Sequence, residues 1–164
     1  LYNLTNINLT VVGTCLNSMR AEYFSLKTYP DMSVFKAIQI SYSIPILFNP
    51  VLFNDKYYVD GALIDNYPIH LFENNNKKTL GIVLTSKSMY GNFEINSLET
   101  YLLSILWISF NNQYKKKIEK YLDITINIET DINSFDFSIN NEQRKNLIDY
   151  GYNICKQKFN LKLC

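Results

Sequence analysis

Residues 57–70 read YYVDGALIDNYPIH. Tyr57, Tyr58 and Val59 have the aromatic and β-branched character of a strand end. Asp60 and Gly61 stop that strand, and Pro68 suits the first turn of a short helix over residues 67–74. An Asp-Gly pair after a strand is ordinarily a tight turn. It is also a way to hold a carboxylate rigidly at a strand end. The role of Asp60 decides how the rest of the chain is read.

Working upstream, Val51–Phe53 and Tyr57–Val59 flank the polar turn Asn54-Asp55-Lys56, which predicts a hairpin. Val34, Ala37, Ile38 and Ser41 recur at helical spacing, so a helix is expected over 33–43, capped by Asp31 or Ser33 and ended by Pro45. Leu9–Leu16 and Glu22–Thr28 read as strands. Downstream, Lys78–Ser86 is a continuous apolar run, which predicts a strand covered on both faces. A long helix follows over 97–122, with Asn96 and Glu99 at capping-box spacing, then an alternating strand over 123–129. A C-terminal helix starts near Ile139. Strands alternating with helices imply an α/β layer fold with a largely parallel sheet.

The chain has 164 residues, 47% hydrophobic and 19% charged, which fits one globular domain with a core of its own. Sixteen basic residues against 15 acidic ones leave a net charge of +1, which argues against a general nucleic-acid binder. Cys15, Cys155 and Cys164 form no C-x-x-C pair, so no metal site is expected, and scattered thiols suit a reducing, cytoplasmic setting. The glycines are too dispersed for a nucleotide loop, and no cofactor is expected. The longest apolar run, Tyr101–Phe110, is about half the ~20 residues a bilayer span needs. His70, the single histidine, reads first as a surface or structural residue and only second as a base. No G-x-S-x-G segment occurs in the chain.

Two segments stand out together. The first is ISYSIPILFNP, residues 40–50; the second is the Tyr58-Val59-Asp60-Gly61-Ala62 stretch with Asn66 and Pro68 behind it. In this order, separated by a short hairpin, they resemble the patatin-like phospholipases and acyl hydrolases. Ser41, Ser43, Pro45, Phe48 and Pro50 match the serine-rich helix end that runs into two prolines, and Asp60-Gly61-Ala62 matches the family's Asp-Gly-Gly or Asp-Gly-Ala motif. The resemblance is dense over residues 9–70. It implies a three-layer α/β/α sandwich, a membrane lipid or other acyl ester as substrate, and a Ser-Asp dyad in which Asp60 is the base. It also implies a nucleophile elbow and an oxyanion loop that precede the Asp motif. Neither is in these residues, so 1–164 is expected to be the C-terminal portion of a single patatin-like domain, inactive by itself.

Ser41 and Ser43 lack flanking glycines and read as parts of the helix end rather than as nucleophiles. Asp65 reads as a cap for the helix at Pro68. Tyr101–Phe110 is apolar on nearly every side, which predicts a buried helix; the lysines at 115–117 and 120 also admit peripheral contact with a membrane. Two rival readings stay open. One is a non-catalytic patatin-fold remnant that binds lipid or protein; the other is an unrelated α/β domain in which Asp60-Gly61 is only a turn.

Overall fold

Asn54 and Asp55, at φ 47° and 57°, form the two left-handed positions of a type I′ turn, and the hairpin predicted there closes around them. A computed structural model describes residues 5–86, 94–130 and 138–159, so Cys164 lies outside the described residues. The chain divides into two compact units, residues 1–68 with 93–117, and residues 69–92 with 118–164.

The first unit carries β1 (Thr10–Cys15), β2 (Arg20–Ser25), α1 (Val34–Ser41), β3 (Val51–Phe53), β4 (Lys56–Asp60) and α2 (Ala62–Asp65). Its sheet has the order β2-β1-β4-β3. All three pairings are antiparallel, where a largely parallel sheet was expected. The reason is loop length. The links between β1 and β2 and between β3 and β4 are too short for the crossover a parallel pair requires.

Ser33 caps α1, its hydroxyl accepting from the Lys36 amide at 3.1 Å. Ala37 and Ile40, three residues apart on one helix face, pack with Cys15, Phe24, Val51 and Tyr58 into a buried core. Phe24 meets the Tyr58 ring edge-on at 5.4 Å. Glu22 sits at one end of this core and accepts from the hydroxyls of Tyr29 at 2.5 Å and Tyr58 at 2.9 Å. Burial pushes the Glu22 carboxyl up, but those bonds and the Lys56 charge outweigh it and hold it below its ordinary value.

The first unit also holds residues 98–117 of α3 (Leu98–Lys120). Its cap is Ser97 rather than Asn96: Ser97 Oγ accepts from the Thr100 amide and Thr100 Oγ1 accepts from the Ser97 amide, both at 3.1 Å. The helix is not buried on all sides as its composition predicts. Phe110 is buried, whereas Leu98, Tyr101, Leu102, Ile105 and Ile108 form an exposed stripe along one face.

In the second unit β5 (Gly81–Ser86) and β6 (Thr125–Thr130) do pair in parallel, from Gly81 opposite Thr125 to Ser86 opposite Thr130. The apolar run of β5 is covered on one face only. Val83 is buried, while Ile82 and Leu84 are exposed. α4 (Asn141–Phe159) packs against β6 and opens with a reciprocal box in which Asn140 and Gln143 each accept from the other's amide at 2.9 Å. A 3-10 helix, Ile69–Lys78, takes the place of the helix expected from Pro68, and His70 lies exposed on it.

Candidate active site

Asp60 is the last residue of β4 and stands opposite Gly13 of β1. Its side chain is half-buried and bends back to accept from the Ala62 amide at 2.8 Å. That bond ties the carboxylate to the first residue of α2, so the strand end and the helix start share one anchor. Burial raises the Asp60 carboxyl above its ordinary value, and the Ala62 amide offsets the rise only in part.

Gly61 makes the turn possible in a different way from the one an Asp-Gly pair suggests. Its φ of −64° and ψ of −25° are helical and open to any residue. What it lacks is room, since a Cβ there would lie 2.5 Å from the Val12 carbonyl oxygen of the neighbouring strand. Gly61→Ala is therefore expected to cost about 2 kcal/mol of stability, because backbone rather than a pliable side chain has to move. Chemical denaturation reads this directly, and an unchanged midpoint would show that β1 yields at no cost.

Asp60 opens into a cleft of about 570 Å³ within the first unit, whose walls include Ile38 and Ser41 of α1, Tyr42 just after it, and Asn66 and Pro68 beyond α2. The two serines of the first motif part company here. Ser41 lines the cleft. Ser43 is 2% exposed, and its hydroxyl donates inward to the Gln39 carbonyl at 2.6 Å, which rules it out as a nucleophile. Its own carbonyl accepts from the Asp60 amide at 2.9 Å. Beyond Ser43 the chain turns sharply through Ile46 at φ 77°, a conformation in which a β-branched residue is strained.

Asp65 also borders the cleft, but its carboxylate is 4% exposed and engaged. One oxygen accepts from the Tyr23 hydroxyl at 2.7 Å and the other pairs with the Lys117 ammonium. The expected cap is thus a buried ionic anchor between α2, β2 and α3. Burial and the neighbouring Asp65 carboxylate push the Tyr23 hydroxyl up to about 12, so it stays a donor at neutral pH. Lys117 also donates to the Tyr67 carbonyl at 3.2 Å, and Lys120 pairs with Glu73 at 2.7 Å within the second unit. Two of the lysines that admitted a membrane reading are therefore engaged within the protein. Among the described residues, no group of three or more His, Cys, Asp and Glu side chains could hold a metal ion.

The model of the patatin-like phospholipase family matches residues 3–73, the segment that contains α1, both motifs and Asp60. That segment is patatin-like. The chain is 34% identical over 160 residues to an uncharacterised protein of Acanthamoeba polyphaga mimivirus, a match covering 92% of the chain and 54% of that protein. It is 26% identical over 100 residues to a probable lipid hydrolase of Invertebrate iridescent virus 6, covering 58% of the chain and 34% of that protein. The crystal structure of VipD from Legionella pneumophila superposes with a TM-score of 0.65 at 22% identity, over 93% of the chain and 31% of VipD. That likeness shows the α/β patatin-like fold. The chain spans 54% and 34% of the lengths of the two viral relatives. No helix among the described residues is long and apolar enough to cross a membrane.

Proposed function

We propose that this chain supplies the general base, Asp60, of a serine acyl-ester hydrolase acting on lipids. The observation that carries the reading is the position of Asp60: a half-buried carboxylate anchored at a strand end and facing an open cleft. In the attacking step a serine hydroxyl gives its proton to Asp60 as its oxygen adds to the ester carbonyl, and the ester C–O bond then breaks as the leaving alcohol takes that proton; water, giving a proton to Asp60 in turn, adds to the acyl-serine, and the acid departs as the serine oxygen regains the proton. A raised carboxyl takes that proton more readily than an ordinary one. His70 has no part in this dyad. The serine belongs to a G-x-S-x-G segment, and these 164 residues contain none. The match to the patatin-like phospholipase family and to a probable viral lipid hydrolase supports lipid as the substrate class.

The test is ester hydrolysis by the protein as its gene encodes it. Asp60→Ala is expected to remove at least ~100-fold of the rate while the circular dichroism spectrum stays unchanged. Full activity in that variant would sink the assignment. No activity in the parent protein would favour a binding module built on the same fold.

A second observation supports contact with a lipid surface. The exposed α3 stripe of Leu98, Tyr101, Leu102, Ile105 and Ile108 runs toward the exposed Lys115 and Lys116. Co-sedimentation with anionic phospholipid vesicles is expected to fall when Ile105 and Ile108 become serine; equal sedimentation of parent and variant would remove this contact from the proposal.

A further inference from the structure

β3 stops pairing with β4 at Val51 opposite Tyr58, two residues short of Asp60. The next partner on that side is not a strand. It is the Ser43 carbonyl, which accepts from the Asp60 amide at 2.9 Å. Ser43 is in turn fastened to the last turn of α1 twice, through its amide to the Ile40 carbonyl at 3.1 Å and through its hydroxyl to the Gln39 carbonyl at 2.6 Å. Ile40 is fully buried, so this turn is fixed by the core beneath it.

We propose that Ser43 is a positioning residue for Asp60: its buried hydroxyl locks the end of α1, and its carbonyl sets where the strand end carries the carboxylate. The proposal rests on the reading of Asp60 as the base. Its chemistry is specific. A buried serine whose only task is to fill space is replaceable by alanine at little cost, because the hydroxyl adds nothing to packing. Here the hydroxyl closes a chain of contacts that runs Gln39, Ser43, Asp60, Ala62 and ends on the carboxylate itself. Ser41, two residues earlier and open to the cleft, makes no comparable link, and this difference separates two serines that look alike in the sequence.

The experiment compares Ser43→Ala and Ser43→Thr in the protein as its gene encodes it, by amide hydrogen exchange and by a carbon-detected carboxyl titration of Asp60. In the alanine variant the Asp60 amide is expected to exchange roughly tenfold faster while the β1–β2 ladder changes by less than about twofold. The Asp60 titration is expected to move back toward the ordinary carboxylate value as the strand end loosens and water reaches it. Threonine keeps the hydroxyl and is expected to restore both readouts. A purely structural serine would instead raise exchange evenly across the sheet. Such an even rise, or an Asp60 amide and titration unchanged in the alanine variant, overturns the proposal. Should the alanine variant not fold, Ser43→Cys retains the fit with a weaker donor, and the same two readouts decide. Neither readout requires ester hydrolysis, so the base assignment fails only in the Asp60→Ala activity test and the positioning role only here.

Discussion

Asp60→Asn is expected to give a protein that is catalytically silent and, at neutral pH, more stable than its parent. The sign follows from the direction of the Asp60 shift. Burial raises the folded-state carboxyl above its unfolded value. Below the unfolded value both states are protonated, and the residue costs nothing. As pH rises, the unfolded chain ionises first and stability is lost until pH passes the folded value; above it the loss is constant. Asparagine is close in shape, carries no charge and keeps the oxygen that accepts from the Ala62 amide. It therefore removes the cost of burying charge without removing the anchor. The gain in Tm should be present at pH 7 and vanish below about pH 3, where Asp60 itself is neutral. Activity should fall by ~10²–10⁴-fold, the usual worth of a positioned general base. In the parent, the acid limb of kcat/KM should lie above the ordinary carboxylate range. Thermal melts at the two pH values check the first claim. A stability loss at pH 7 would mean that the cleft does not disfavour the Asp60 charge, and the base would lose its physical support. A residue that costs stability where it works is a common mark of a functional site.

The placement of Asp60 at a strand end was legible because it depends on near neighbours in the chain. Tyr58 and Val59 build the strand, Gly61 permits the close approach to Val12, and Ala62 supplies the amide. Helix α1, its Ser33 cap and the 51–60 hairpin are local for the same reason. The sheet's direction was misread because alternating strands and helices predict crossovers, whereas β1 to β2 is a tight turn with Met19 at φ 54°. Composition also overstated burial. β5 and residues 101–110 of α3 are apolar nearly all round, yet Leu84 and Ile108 lie exposed, since periodicity records which faces are able to be covered and not which ones are.

The division within the site is sharper still. Ser41 and Ser43 sit two positions apart with similar flanks; Ser43 bonds back to Gln39 four residues earlier, a local link, whereas the place of Ser41 in the cleft wall depends on tertiary structure. Asp65 carried no local sign that its partner is Lys117, 52 residues later. A cap is a local feature and is available to sequence reasoning; a buried ion pair across that distance is not.

That ion pair sets the largest expected effect on stability. Lys117 and Asp65 have side chains 29% and 4% exposed, so removing the lysine strands a carboxylate in the protein interior. Lys117→Met is expected to cost about 3 kcal/mol, near the lower end for broken buried pairs because Lys117 keeps some contact with water. The methionine retains most of the aliphatic stem, which separates lost charge from lost packing. The Tyr23 hydroxyl remains on the other Asp65 oxygen and limits the damage without cancelling the charge. Adding Asp65→Asn to the lysine variant removes the stranded charge, so the double variant should be more stable than Lys117→Met alone. Lys120 supplies the contrast. Its pair with Glu73 has side chains 65% and 47% exposed, and Lys120→Met should leave the denaturation midpoint nearly unchanged. Urea denaturation of the three variants and parent distinguishes these cases. If Lys117→Met and Lys120→Met lose equally little, the Asp65 site is wet and its role as an anchor is wrong. If the ordering holds, α2 is held from beneath by Lys117 and Tyr23, while its first residue holds the Asp60 carboxylate from above. The wall of the cleft and the base within it would then depend on one four-residue helix.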